Sequence, residues 1–182
     1  MKCIPSAIPD VVLIEPRVFG DERGFFLETW NRAAFHKAGI DADFVQDNHS
    51  HSRRWTLRGL HYQIQHAQGK LVRVTSGQVF DVVVDVRRSS PTFGRHVTFD
   101  LSAANHRILW VPPGCAHGFV VVSDYADFVY KCTDYYHPEH ERSISWRDPE
   151  LAIRWPIPDN VAPTLSDRDA RAGSLRDAEC YP

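Results

Sequence analysis

The sequence predicts a mainly β domain whose strands form a double-layered antiparallel sandwich or small barrel. Three observations lead there. Short β-rich runs recur along most of the chain between turn residues, with Gly77 and Pro112-Pro113-Gly114 the sharpest breaks. The run Val79 to Val86 is apolar and largely β-branched on both of its period-2 faces, as a central strand covered on two sides requires. Helical patterning is confined to two short stretches.

In chain order, the strands are expected at Val11 to Glu15, Gly24 to Trp30, Leu57 to Gln63, Lys70 to Ser76 and Gln78 to Arg87. They continue at Arg95 to Leu101, Arg107 to Val111, Gly118 to Val122, Ala126 to Tyr135 and Ser143 to Trp146. Each is a run of strand-forming residues bounded by turn formers. One helix is expected from Asn31 to Ala38, with Asn31 as its N-cap, and another from Asp167 to Ala178. Two aspartates, Asp81 and Asp85, share a face of the central strand with Val79 and Val83 and need partners there; loop contacts or an arginine such as Arg73 would serve.

A chain of 182 residues suits a single domain, 1–182, here with an N-terminal arm of about 1–30 and a C-terminal tail of about 160–182. Net charge is −2 with the two signs nearly balanced, so there is no basic field for nucleic acid or an anionic membrane, and attraction for an anion must be local. Cys3, Cys115, Cys132 and Cys180 are scattered without a CxxC pair, and no basic-then-apolar leader is read at the N-terminus. No apolar run is long enough to span a bilayer. The expectation is a reduced, cytoplasmic protein.

The chemistry concentrates in Thr56-Leu57-Arg58-Gly59-Leu60-His61-Tyr62-Gln63 and Gln68-Gly69-Lys70-Leu71-Val72-Arg73-Val74. An imidazole between an arginine and a lysine in strand-forming sequence costs stability unless an anion sits among them. Those residues fit an acidic ligand held next to a base. Arg58 and His61 are three apart, so a regular strand sends them to opposite faces. A bulge or bend at Gly59 would bring both into one pocket, and a broken ladder is expected there.

Seven segments, in order and nearly end to end, resemble the dTDP-4-dehydrorhamnose 3,5-epimerase family. They are Gly20-Asp21-Glu22-Arg23-Gly24-Phe25-Phe26-Leu27-Glu28, Gln46-Asp47-Asn48-His49-Ser50, Leu57 to Gln63, Gln68 to Arg73, Ser90-Pro91-Thr92-Phe93-Gly94, Pro113-Gly114-Cys115-Ala116-His117-Gly118-Phe119 and Tyr130-Lys131-Cys132-Thr133-Asp134-Tyr135-Tyr136. The resemblance implies a cupin-like jelly roll, a homodimer in which an N-terminal strand is exchanged, and no metal or organic cofactor. It implies inversion of carbons 3 and 5 of a 4-keto-6-deoxyhexose carried on dTDP, toward dTDP-L-rhamnose.

Such inversion needs a base on one face of the sugar, an acid on the other and a cation at the enolate oxygen, because the ketone acidifies both flanking carbons. No redox step is needed, and the chain offers no GxGxxG opening a helix. His61 suits the base, since imidazole titrates near neutral pH. The resemblance assigns it that role and supplies Asp169 to fix its tautomer. It also marks Tyr130 as the acid, although Tyr135 and Tyr136 meet the chemical requirement equally, and places Lys70 at the enolate oxygen. Guanidinium suits paired phosphate oxygens, which makes Arg23, Arg58 and Arg168 diphosphate candidates. Arg168 stands where the family commonly has lysine. Gln46, Asp47, Asn48, Glu28 and Glu141 match nucleotide- and sugar-contacting positions, Phe19, Phe26 or Tyr136 could stack on thymine, and Arg23 is expected to reach a neighbour's pocket.

His117 has two readings, a substrate contact or, with His61, the remnant of a cupin metal pair; the usual HxH spacing is absent, and substrate contact is preferred. The remaining histidines, His36, His49, His51, His66, His96, His106, His137 and His140, read as surface or loop residues. Cys115 occupies a position where the family often has an aromatic. Three rival functions remain: a metal-dependent cupin oxygenase or isomerase, a non-catalytic nucleotide-sugar binding module, and an epimerase of one carbon only in another deoxysugar pathway.

Overall fold

In the computed structural model, which describes residues 1–182, the chain opens with β1 (Lys2–Pro5), β2 (Val12–Glu15), β3 (Val18–Asp21) and β4 (Gly24–Leu27). After α1 (Arg32–Lys37) come β5 (Gln46–Arg53), β6 (Leu57–Gln63), β7 (Lys70–Ser76), β8 (Gln78–Asp85) and β9 (His96–Ser102). The chain then forms β10 (Ile108–Val111), β11 (Cys115–Val121), β12 (Tyr125–Cys132), a 3-10 turn at Pro138–His140, β13 (Glu141–Ser143) and α2 (Asp167–Ala170). A six-stranded sheet in the order β1-β2-β10-β7-β12-β5 faces a five-stranded sheet in the order β13-β6-β11-β8-β9. All pairings within the two sheets are antiparallel, and the two layers make a cupin-like jelly roll.

The inner faces of the two sheets meet in an apolar layer that includes Val72, Leu109 and Phe128 from one sheet and Val79, Val83 and Phe119 from the other. Burying a side chain such as Phe128 contributes about 1.5–3 kcal/mol. The opposite face of β8 carries Val82 and Val84, which pack under Leu60 of β6, Ile144 and Leu151 from the segment after β13, and Leu175 of the C-terminal tail. The doubly apolar run therefore is a central strand covered on both sides. On the outside of the six-stranded sheet, Phe35 of α1 and Ile40 cover Ile14, Leu71, Ile108 and Trp110. As expected, Asn31 caps α1, accepting from Ala34 N at 3.1 Å. No helix is long and apolar enough to cross a membrane.

Several element boundaries differ from expectation. β5 was not anticipated because Gln46–Arg53 has no apolar alternation; its inner positions face a polar cavity, so the rule of apolar-in, polar-out does not apply. β1 and β3 are short and were also missed. The Asp134 side chain caps Tyr135 N at 2.7 Å and turns the chain away after β12, which ends at Cys132 and not Tyr135. β13 lies at Glu141–Ser143, upstream of the expected Ser143 to Trp146. α2 is one turn, not the expected run to Ala178, because the tail leaves helical geometry to bury Leu175, whose N–H donates to Asp148 at 2.8 Å. Neither aspartate of β8 meets Arg73. Asp85 is held by Arg87, Ser90 and Thr92; burial alone would raise its pKa, but these donors bring it down to about 2. Asp81 meets His117.

The β3–β4 hairpin pairs only with itself, and it presents Phe19, Phe25 and Phe26 to solvent at 49%, 64% and 69% exposure. β1 pairs with β2 of its own chain.

At Gly59 the expected break is present. Its φ is +117°, the Gly59–Leu60 peptide is cis, and the β6–β11 register shifts between His117 and Phe119. A Cβ at Gly59 would lie 2.5 Å from Gly118 Cα and 2.6 Å from the His117 carbonyl oxygen, so two backbones touch where side chains would not fit. Gly59→Ala should lower unfolding free energy by about 2–4 kcal/mol, from backbone strain plus overpacking. Gly39→Ala, at φ +85° with open space around it, should cost only the strain, about 1–2 kcal/mol. Urea denaturation of the two variants measures the difference.

Candidate active site

Between the sheets, beside Phe119 and Phe128 of the apolar layer, lies a cavity of about 390 Å³. The break at Gly59 lets both Arg58 and His61 line it from β6. His117 pairs directly with His61 across β11 and β6 and joins them on the same wall. The facing wall comes from the six-stranded sheet, with Lys70 on β7, Tyr130 on β12 and Gln46 and Asn48 on β5. Tyr136, Glu141, Arg168 and Asp169 close the rim. His61 and Tyr130 thus open into one cavity from opposite sheets.

His61 Nε2 lies 2.5 Å from Asp169 Oδ1. A carboxylate can only accept, so Nε2 carries the proton and Nδ1 is the basic nitrogen. Asp169 is itself placed by α2, where the Ser166 hydroxyl accepts from Asp169 N at 3.1 Å. Burial works to raise the Asp169 pKa, but the bond and charge of His61, with Ser166 and Arg168, hold it below the usual carboxylate range. His117 is arranged in parallel. Its Nε2 donates to Asp81 Oδ2 at 2.9 Å, and Asp81 is fully buried.

Two cations here have no carboxylate partner. Arg58 donates to the Ser52 hydroxyl at 3.0 Å, and Lys70 makes no ion pair. Burial pushes the Lys70 pKa down, only partly offset by the negative potential of Cys132, Glu141 and Asp81. Burial likewise pushes the Tyr130 phenol up, so it stays protonated. Arg168 is paired with Glu141, and Tyr136 donates to the same carboxylate at 2.5 Å. A half-buried ammonium and an exposed guanidinium left unpaired on one cavity favour an anionic ligand.

Not every expected site residue converges. Asp47 points away from the cavity on the outer face of β5 and pairs with Lys131 at 2.9 Å, because alternation puts it opposite to Gln46 and Asn48. Glu28 accepts from Asn31 at 3.1 Å outside the cavity. Arg23 and Phe26 sit on the exposed hairpin, Arg23 paired with Asp21. Conversely, Ser50, Gln68, Phe119, Phe128 and Ser166 line the cavity without having been anticipated. Ser50 became legible only once β5 was recognised as a strand. His61 and His117 belong to no cluster of three metal-ligating side chains; the one such cluster, His66, Asp134 and His137, lies outside the cavity lining.

The family model described as dTDP-4-dehydrorhamnose 3,5-epimerase matches residues 5–177. The chain belongs to that family. It is 61% identical over 183 residues to a dTDP-4-dehydrorhamnose 3,5-epimerase of Pseudomonas aeruginosa PAO1, covering 100% of both chains. Its fold matches that of a dTDP-6-deoxy-D-glucose-3,5-epimerase from Legionella pneumophila Philadelphia 1, solved with dTDP-4-keto-L-rhamnose, at TM-score 0.94 and 52% identity over 98% of this chain and 94% of that one. A 3'-monoepimerase from Streptomyces bikiniensis, solved with dTDP-quinovose, matches at TM-score 0.88 and 36% identity over 94% of this chain and 87% of that one.

The burial of Lys70 has a direct readout. After reductive dimethylation with 13C, the Lys70 resonance, assigned by its loss in Lys70→Arg, should titrate at lower pH than an ordinary lysine. Titration at the ordinary value would mean that water reaches the ammonium freely.

Proposed function

We propose that this chain epimerises dTDP-4-dehydro-6-deoxy-D-glucose at carbons 3 and 5, giving dTDP-4-dehydro-L-rhamnose. The observation that carries this reading is the placement of His61 and Tyr130 on facing sheets of one cavity, with Lys70 unpaired beside Tyr130's strand. A sugar ring between the sheets meets a base on one face and an acid on the other.

In this mechanism His61 Nδ1 takes the proton from the carbon next to the ketone, and the C–H electron pair moves into the ring so that the carbon-4 oxygen becomes an enolate. Asp169 stabilises the resulting imidazolium. Lys70 donates to the enolate oxygen, where a preoriented cation is most effective because little water competes. Tyr130 then delivers its hydroxyl proton to the carbon from the opposite face, which inverts it; solvent reprotonates Tyr130 and removes the proton from His61. The same cycle acts at the second carbon. Each step is redox-neutral, so the reading includes no resident cofactor.

Arg58 is assigned to the diphosphate, with Arg168 free to exchange Glu141 for phosphate oxygens. Gln46, Asn48, Tyr136, Glu141 and His117 supply the remaining contacts to nucleotide and sugar. The exposed phenylalanines of the β3–β4 hairpin support a homodimer in which each hairpin delivers Arg23 and Phe26 to its partner's cavity. Four free cysteines fit a reducing cytoplasm.

Incubation with dTDP-4-dehydro-6-deoxy-D-glucose in heavy water should place deuterium at both carbons 3 and 5. Label at carbon 3 alone would replace the proposal with a monoepimerase. His61→Asn should lose exchange at both carbons by about 10²–10⁴-fold, whereas Tyr130→Phe should keep exchange while losing inversion.

The shared site is tested by complementation. Arg23→Ala and His61→Asn homodimers should each be impaired; mixed after unfolding and refolding together, they should regain activity, because half of the heterodimer's sites then combine two wild-type contributions. No recovery beyond the sum of the separate variants would remove the partner role of Arg23.

A further inference from the structure

Just outside the cavity, His66, Asp134 and His137 each turn a ligand atom to within 4.8 Å of the other two. His66 Nδ1 lies 3.3 Å from Asp134 Oδ2, and the rings of His66 and His137 stack at 4.2 Å between centroids. The His140 ring is 5.6 Å from that of His66 and 6.0 Å from that of His137. We propose that these side chains form a binding site for one borderline divalent cation of the Zn²⁺ type, with His66, Asp134 and His137 as ligands and His140 as the fourth donor within reach.

Three features set this cluster apart from an ordinary polar surface. The donors are imidazoles with one carboxylate, the set that suits Zn²⁺ and not Mg²⁺ or Ca²⁺. Its charge is also uncompensated: Asp134 and the adjacent Glu139, 3.4 Å from His137 Nδ1, have only histidines as ion-pair partners, no lysine or arginine.

Third, the ligands are held from behind. Gln63, only 4% exposed, donates through Nε2 to the carbonyls of His66 at 2.7 Å and Tyr135 at 3.2 Å, and its Oε1 accepts from His137 N at 2.8 Å. One buried amide thus ties together the backbone of both ligand-bearing loops. His66 itself sits at φ +53°, in the left-handed region that histidine adopts more readily than most side chains, with its ring turned toward Asp134. Asp134 Oδ1 is occupied by Tyr135 N at 2.7 Å, leaving Oδ2 for the cation.

Zn–N bonds near 2.0–2.1 Å put tetrahedral ligand atoms about 3.3 Å apart, so donors now within 4.8 Å of one another close by up to about 1.5 Å and the stacked His66 and His137 rings turn to aim their lone pairs at one ion, movements within the reach of half-exposed side chains. Tyr136 lies between two of the ligands and also lines the cavity. The cation would therefore clamp the loop that carries Tyr136 and take no part in proton transfer.

Calorimetric titration of the untagged, metal-stripped protein with ZnCl₂ tests this. One saturable site per chain is expected, accompanied by a rise in thermal midpoint at saturating Zn²⁺. His66→Asn, which tolerates the left-handed backbone, and His137→Phe, which keeps the ring stack, should each weaken binding more than about tenfold, in line with the loss of one ligand. His61→Asn should leave it intact. Absence of saturable uptake, uptake indifferent to both loop substitutions, or uptake abolished by His61→Asn would each overturn the proposal.

Discussion

The polar end of the roll depends on how closely β6 and β11 approach at Gly59 and Gly118. A Cβ on Gly118 would stand 2.7 Å from the Arg58 carbonyl oxygen, and one on Gly59 would strike the backbone on the other side, so neither strand admits a side chain there. The contact breaks the two-residue alternation of β6 once. Before the break, Arg58 faces the cavity; after it, so does His61. Because the neighbouring strand β8 is packed on both faces by Val79, Val83, Val82 and Val84, the wall that carries this irregularity cannot relax outward. Arg58, His61, Lys70 and Tyr130 are thus positioned by strands of the scaffold and not by loops.

Division of labour between the sheets follows. The five-stranded sheet holds two imidazoles side by side, His61 paired with Asp169 of α2 and His117 with Asp81 of β8, while the six-stranded sheet holds an ammonium and a phenol. Removal of water acts on both members of the second group in opposite directions, lowering the pKa of Lys70 and raising that of Tyr130. Both changes follow from one cause, since burial disfavours whichever form is charged. Tyr130 is thereby kept protonated and able to donate, and in the proposed mechanism Lys70 is a cation that gains from an enolate beside it.

Much of this was legible in the residues. The doubly apolar run at Val79 to Val86 announced the central strand, and the three-residue gap between Arg58 and His61 announced the break at Gly59. What was hidden obeyed a different rule. β5 is polar because its inner positions meet a cavity and not a core, and the same polarity that concealed it as a strand made Asp47 and Asn48 look equivalent although they face opposite ways. The partner of Asp81 was missed because His117 is 36 positions away in sequence and adjacent only through the β8–β11 ladder, in which Phe119 and not His117 stands opposite Asp81. α2 stopped early for a tertiary reason, the burial of Leu175, that no local helix signal carries.

The hairpin Val18 to Leu27 is the one part of the chain whose own physics leaves it incomplete. A two-stranded ribbon is marginal in water by itself, and this one pairs with neither sheet while exposing Phe19, Phe25 and Phe26. Its arginine is held only by Asp21, in an ion pair whose Arg23 side chain is 85% exposed; such pairs contribute little and are readily exchanged for a stronger acceptor. The cavity shows the complementary shortage. Arg58 and Lys70 are its only unpaired cations, Lys70 is engaged at the sugar in the mechanism above, and a diphosphate left to Arg58 and an Arg168 already bound to Glu141 is under-neutralised. In the proposed homodimer, a hairpin that lacks an apolar surface to rest on and a cavity short of unpaired cations would satisfy each other between two chains, since within one chain Arg23 lies outside the cavity lining.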